Sequence, residues 1–368
     1  MTNQITKKQH QVPQFLLKNF SSDRQSINIF NIDDETFDLT TDPDTKLGKK
    51  SNKIERRFQN EFFYDYDNLI ENFLANKIEN PASMVIKSII RDVNLNISSE
   101  EKSKLICFVS SLLYRTTEAL NQADTILNST FQHFIEELLR LNNLDKAAAE
   151  EGKFIFNNQN LISMSVLNGA EKHLVFDDLE LALVINKTNI DFYISDHPVF
   201  MYNWLYRKNL HPQSTSIFAR GLQLFFPISY ELTLCLYDPK VYKYGHRNTK
   251  IIEIKDTKDI DILNSFQVSN ADLNIGFRSP NSVINIRELY RRYGNRKIHN
   301  FGTKVINKSE DSNESKIQIM SVRRQYELSR MPSFVQTKKF RGKNVDVVSL
   351  RNPDLAEAYN ELDRRSYT

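Results

Sequence analysis

Glycine is scarce in this chain, nine in 368 residues, and none of it is arranged to cradle a phosphate. The sequence contains no Gly-x-x-x-x-Gly-Lys-Ser/Thr, Gly-x-Gly-x-x-Gly, Gly-x-Ser-x-Gly or His-Glu-x-x-His. Nucleotide-driven, Rossmann, α/β-hydrolase and zincin readings therefore lose their main support. Cysteine is scarcer still. Cys107 and Cys235 each sit inside an apolar run, which reads as two buried free thiols in a reducing compartment, and no Cys/His group has zinc spacing. Long apolar runs are missing too: none approaches the ~20 residues of a membrane span. Met1 to His10 is polar and basic, without the apolar centre of a signal peptide. These absences predict a soluble, cytoplasmic protein with no membrane contact.

What is present is ordinary globular material, 40% apolar and 26% charged, with 24 phenylalanines to fill a core. Its length allows one large domain or two ordinary ones. Many phenylalanines and few glycines predict a helix-rich, aromatic-packed interior. The net charge of +3 hides an asymmetry: residues 287–368 hold 18 Lys+Arg against 10 Asp+Glu, leaving 31 against 36 in the rest. Such a basic region contacts nucleic-acid phosphates, docks an acidic protein, or is simply a solvated tail.

Patterning predicts a short helix or turn over Val12 to Phe20, a strand at Ser26 to Phe30 and a loop over Thr36 to Lys53. A helix follows over Asn68 to Glu79, broken by Asn80-Pro81, and another over Ala82 to Asp92. Ser98 and Glu101 form a capping-box pattern. It opens a long helical period that is either one helix or two meeting near Asn121 to Thr130, with a further helical stretch over 145–151. Strand-like runs follow at Leu179 to Ile185 and Asp191 to Ile194, joined as a hairpin, then at Gly221 to Phe226, Glu231 to Tyr237 and Lys250 to Ile254. A helix is predicted over Asp256 to Ser269. Helices first and strands later predict an α+β fold, helix-rich in its first half with a long central helix and mainly antiparallel sheet in its second. We expect a single core over 1–306, helical to about 175 and sheet over about 176–285. A polar linker at Asn307 to Ser315 would then lead to a basic C-terminal arm or small appended unit over 307–368.

Four polar residues stand where a plain core would not need them. Arg115 shares a helix face with Phe108, Leu112 and Ala119, so its guanidinium must snorkel, pair or await an anion. Glu71, in line with Leu74 and Ile78, is the expected partner, while Glu79, about eighty degrees round from it, is expected in solvent. Asp196 and His197 stand where a strand ends before Pro198, as functional residues or as a simple capped turn. His10 precedes a proline-initiated turn, which it either caps or serves as an acid–base group. A weaker pattern sets Asp238 and Glu253-Ile254-Lys255 at neighbouring strand ends, as in metal-dependent nucleases or in any edge strand.

Taken in order, these stretches resemble the bacterial family of domain of unknown function 4238. The resemblance runs through His10-Gln11-Val12-Pro13-Gln14-Phe15-Leu16-Leu17-Lys18-Asn19-Phe20, Phe62-Phe63-Tyr64, the Glu71 helix, Arg115-Thr116, Ser195-Asp196-His197-Pro198, Phe226-Pro227-Ile228-Ser229, Asn264 and Arg278. It covers roughly residues 8–285. Two departures stand out: Thr117 where the family usually has proline, which implies a straighter helix there, and His197 where asparagine is usual. The resemblance implies a shared fold and polar cluster, and no reaction.

The resulting expectation is a hydrolase-like protein, nuclease-type, acting in conflict with phages or rival bacteria. His10 would be the acid or base, Asp196 and Glu71 would orient it or hold a divalent ion such as Mg²⁺, and Arg115 would clamp an anion. The alternative is a non-enzymatic binding or scaffold module whose polar cluster is a structural ion network.

Overall fold

The computed structural model describes residues 8–40, 52–61, 68–117, 167–207, 214–245, 250–294, 302–308, 316–322, 328–338 and 348–365, apart from 168 and 172, with isolated helical positions from 119 to 139. Phe62-Phe63-Tyr64, loop residues 41–51 and the helical stretch expected over 145–151 lie outside them.

The described elements begin with β1 (Lys8–His10), α1 (Gln14–Leu17), β2 (Asn28–Asn31), β3 (Phe37–Asp38) and β4 (Gln59–Glu61). Then come the helices α2 (Leu69–Phe73), α3 (Asn80–Asp92) and α4 (Ser99–Tyr114). Residues Leu74–Glu79 join α2 to α3 as a π-helix, so the helix runs on through Asn80-Pro81 where a break was expected. Proline lacks the N–H that would bond the carbonyl four residues back and crowds it. A preceding wide turn, bonded i to i+5, accommodates that misfit without ending the helix. Helix α4 starts at the predicted capping box, with the Ser98 side chain accepting from the Glu101 amide. It is shorter than expected and stops at Tyr114. Arg115 and Thr116 leave helical geometry, and helix resumes at Thr117. The Thr116 hydroxyl accepts from the Ala119 amide at 3.1 Å, an N-cap bond that puts Thr117 in the first helical position. Proline favours that same position, so threonine there preserves the break rather than straightening the helix.

The second half supplies β5 (Glu180–Asn186), β6 (Ile194–Ser195), β7 (Phe200–Tyr202), β8 (Gln223–Pro227), β9 (Leu232–Tyr237), β10 (Tyr242–Tyr244) and β11 (Ile251–Ile254). Helix α5 (Thr257–Asn270), strand β12 (Asn274–Phe277) and helix α6 (Val283–Tyr293) complete it. A five-stranded sheet has the order β11-β5-β9-β8-β7, antiparallel except for the parallel pair β11–β5. Its central strands β9 and β8 are buried along their whole length, as their largely apolar runs require, with Gln223 and Thr233 the polar residues within them. A second sheet, β3-β2-β12-β6, is antiparallel and recruits two strands from the first forty residues. The fold is α+β, but the boundary expected near residue 175 is crossed by those strands. Nor do β5 and the run after it form the expected hairpin. The Asn186 side chain turns the chain by accepting from the Thr188 amide and donating to the Ile190 carbonyl, and the chain passes to the second sheet.

Helix α5 lies between the sheets. Phe266 stacks on Phe200 at 4.5 Å on one side, while Val268 and Ala271 join the cluster of Phe30, Ile275 and Ile286 on the other. Burial on both sides explains why its sequence has no single apolar stripe.

The expected arm returns to the core. Strands β13 (Gly302–Lys308) and β14 (Lys316–Val322) pair as a hairpin, so Asn307 and Lys308 of the expected linker are strand residues. Strand β15 (Val335–Thr337) pairs with β10, and α7 (Pro353–Arg365) sets Tyr359 against Phe218. Between them Arg351, 4% exposed, donates to both carboxylate oxygens of Asp178 and to the carbonyls of Val175, Ile217 and Ala219. Five polar contacts inside the core fix this segment far more firmly than a tail requires.

Candidate functional site

Arg115 is 1% exposed, which its position at the end of α4 makes costly unless every charge is answered. One guanidinium nitrogen meets Glu79 Oε1 at 2.5 Å and another donates to the backbone carbonyl of His10. The ion-pair partner is therefore Glu79, expected in solvent, rather than Glu71. The π-helix explains the exchange. At 3.6 residues per turn Glu79 would point away, but an i to i+5 turn aligns it with buried Leu74 and swings its carboxylate inward. Asn80-Pro81 was the one sequence signal for this, since a proline inside a helix announces a local widening. Glu71 lies half-buried on α2, one stretch earlier on the same continuous helix.

His10 ends β1, which pairs with β4 through His10 and Gln59. Its carbonyl serves Arg115, and its ring Nε2 accepts from Gln14 Nε2 at 3.4 Å. The adjacent Gln11 donates to the Thr117 hydroxyl at 3.2 Å. The opening motif is thus tied at two points to the break after α4. Burial, together with the Arg115 charge and against a hydrogen bond to the Glu55 backbone, lowers the His10 pKa to about 4. The imidazole is neutral near pH 7 and a poor match for general base work there.

A depressed histidine also makes stability pH-dependent. The unfolded chain takes up this proton near pH 6.5, the folded chain only near 4. The contribution is intact above 6.5 and is lost as pH falls toward 4, by up to about 3 kcal/mol. The wild-type urea midpoint should fall over that interval more steeply than that of His10→Gln. Parallel curves for the two proteins would show that the imidazole is not shielded.

Asp196 is 2% exposed and holds a different part of the molecule. Its Oδ1 accepts from the Asp272 amide at 2.8 Å, and its Oδ2 accepts from those of Leu273 and Asn274 at 2.7 and 2.9 Å. The carboxylate therefore closes the turn between α5 and β12. Burial pushes its pKa up against the opposing pull of His197 and the three amides. Among the described contacts none joins Asp196 to His10, Glu71 or Arg115.

The chain around Asp196 is held by three carboxamides from α5 that pattern reading passed over, apart from Asn264. Asn264 accepts from the Tyr193 amide and donates to the Asp191 carbonyl. Gln267 accepts from the Ser195 amide and donates to the Pro198 carbonyl. Asn270 donates to the carbonyls of His197 and Val199. Their spacing of three puts all three on one helix face, where they satisfy a short strand that among the described strands has β12 alone beside it. Polar residues at that spacing on an otherwise buried helix were the available signal.

The weaker nuclease-like pattern comes apart. Strand β5 separates β11 from β9, and Glu253 pairs with Ile185 while Tyr237, next to Asp238, pairs with Glu180. Those positions on β5 are five residues apart, roughly 17 Å along the strand. Asp238 is fully buried and accepts from the amides of Gly221 and Lys240. Gly221 has φ +82°, and an added Cβ would meet Asn203 Oδ1 at 2.8 Å, so that turn requires glycine. Among the described residues no three His, Cys, Asp or Glu side chains group as a metal site. A cavity of about 170 Å³ opens beside Ser98, Lys102, Glu180 and Lys250, and none of the four candidate residues lines it. No helix among the described residues is long and apolar enough to cross a membrane.

Fold and site together define an α+β protein whose first strand is pinned by a buried arginine. The chain belongs to the family described as protein of unknown function (DUF4238), which matches residues 8–281. No curated protein and no solved structure matches it.

Proposed function

We propose that this protein is a cytoplasmic binding module, with a structural ion network inside and a basic C-terminal region that engages a nucleic-acid or protein partner. The observation that carries this is that both charges find partners inside the protein: the Arg115 guanidinium meets Glu79 and the His10 carbonyl, and the Asp196 carboxylate accepts from three amides. Groups so engaged stabilise a fold at the expense of contacting a substrate. The test is incubation of the full chain with Mg²⁺ or Mn²⁺ and single- and double-stranded DNA and RNA. The expected outcome is binding that weakens with salt and recovery of uncut strands. Cleavage that disappears in a folded His10→Gln variant would overturn the proposal.

That outcome belongs to the second reading, a hydrolase-like, nuclease-type effector in conflict with phages or rival bacteria. In it His10 is the acid or base, Arg115 the anion clamp, and Glu71 and Asp196 orient a base or a divalent ion such as Mg²⁺. The half-buried His10 imidazole close to Arg115, with the π-helical turn bringing in Glu79, favours it, since such turns recur at functional sites.

A further inference from the structure

We propose that the outward face of α6 docks the phosphate backbone of a nucleic-acid duplex. This rests on the binding-module reading and names its partner and surface. Helix α6 buries Ile286 and Leu289 in the cluster around Phe30 and Val268, which turns Arg287, Glu288, Arg291 and Arg292 to solvent. Arg287 and Arg291 are one turn apart on the same line, separated by a rise of about 6 Å, a step comparable with that between neighbouring phosphates of one strand. The Arg287 guanidinium sits over the Phe37 ring at 5.1 Å, which braces it at the surface. Glu288 offsets only one of the three cations, through a 3.5 Å pair with Arg292 in which both side chains are more than half exposed. Such a pair holds weakly against competing phosphate.

The surrounding sequence extends the same charge. From 289 to 308 the chain carries six Lys+Arg and no Asp or Glu, while residues 1–286 are net acidic. Basic residues in a last helical turn also complement the helix dipole. That accounts for Arg291 and Arg292 but not for Arg287 one turn earlier or for the cations beyond the helix. Arginine suits phosphate because its planar fork donates two parallel hydrogen bonds to one anion. Contacts of this kind position a duplex without reading its sequence.

The experiment measures fluorescence anisotropy of labelled duplex DNA and duplex RNA with the full chain across a salt series. The triple variant Arg287→Gln/Arg291→Gln/Arg292→Gln is measured beside the wild type. Each neutralised phosphate contributes about 0.9 to the slope of log affinity against log salt. The variant should bind about tenfold or more weakly, with a slope flatter by roughly two to three, and with a cooperative urea transition whose midpoint falls only slightly, since the Phe37 contact of Arg287 and the helix-dipole contributions of Arg291 and Arg292 are small at exposed sites. Absence of wild-type binding at low salt, or an identical slope in the variant, would overturn the proposal. So would polyglutamate that competes as well as unlabelled duplex, which would mark a surface for acidic proteins and leave the binding-module reading standing. Cutting of the duplex by wild type and triple variant alike would instead remove that reading and, with the salt slope altered as expected, leave the docking face in place.

Discussion

The Arg115→Ala variant is expected to unfold with a free energy about 3–5 kcal/mol below that of the wild type. Removing the guanidinium leaves the Glu79 carboxylate, whose side chain is 19% exposed, without its ion pair, and leaves the His10 carbonyl facing a cavity. Both penalties fall on the junction of β1, the π-helical turn and the end of α4. Equilibrium urea unfolding at pH 7 measures the loss, and an unchanged slope against denaturant would assign it to stability. A companion variant, Arg115→Met/Glu79→Leu, should be less damaged, because an apolar pair of similar volume avoids burying an unmatched charge. A small loss in Arg115→Ala together with lost ligand binding or turnover would instead place the guanidinium in a functional cleft.

Asp196→Ala is expected to cost about 3 kcal/mol, since three backbone amides lose their acceptor at once. Asp196→Asn should cost less, as its remaining carbonyl oxygen can still accept while its amide group faces a donor. The order alanine worse than asparagine worse than wild type, read from urea midpoints, is the signature of a turn-closing carboxylate. A purely chemical role would leave both midpoints at the wild-type value while abolishing an activity.

Much of the second half was legible because burial on two faces demands nearly continuous apolar runs: Leu232 to Tyr237, with Thr233 its one polar residue, reads as an interior strand. Caps were legible for a similarly local reason. Ser98 with Glu101 satisfies amides within three residues of itself, whereas Asp256, read as the first residue of its helix, stands one position before it as the cap. What escaped depends on distant segments. Nothing near Ile29 says that it will lie opposite Gly276, and nothing near Asp196 says that its acceptors will be used at 272–274. Arg115 was recognisable as a charge needing an answer, but its answer was misassigned because an ideal helical wheel has no π-turn in it. Where Leu74 to Glu79 widen, angles counted from sequence drift by most of a residue.

The carboxamides of α5 impose a discrete choice on the strand they grip. Backbone donors and acceptors alternate sides along an extended chain, so sliding residues 191–199 by one position would turn the amides of Tyr193 and Ser195 away from Asn264 and Gln267. The segment can therefore seat in one setting only, like a key whose teeth admit no half-step. An insertion between Tyr193 and Val199 would unlatch helix and strand together.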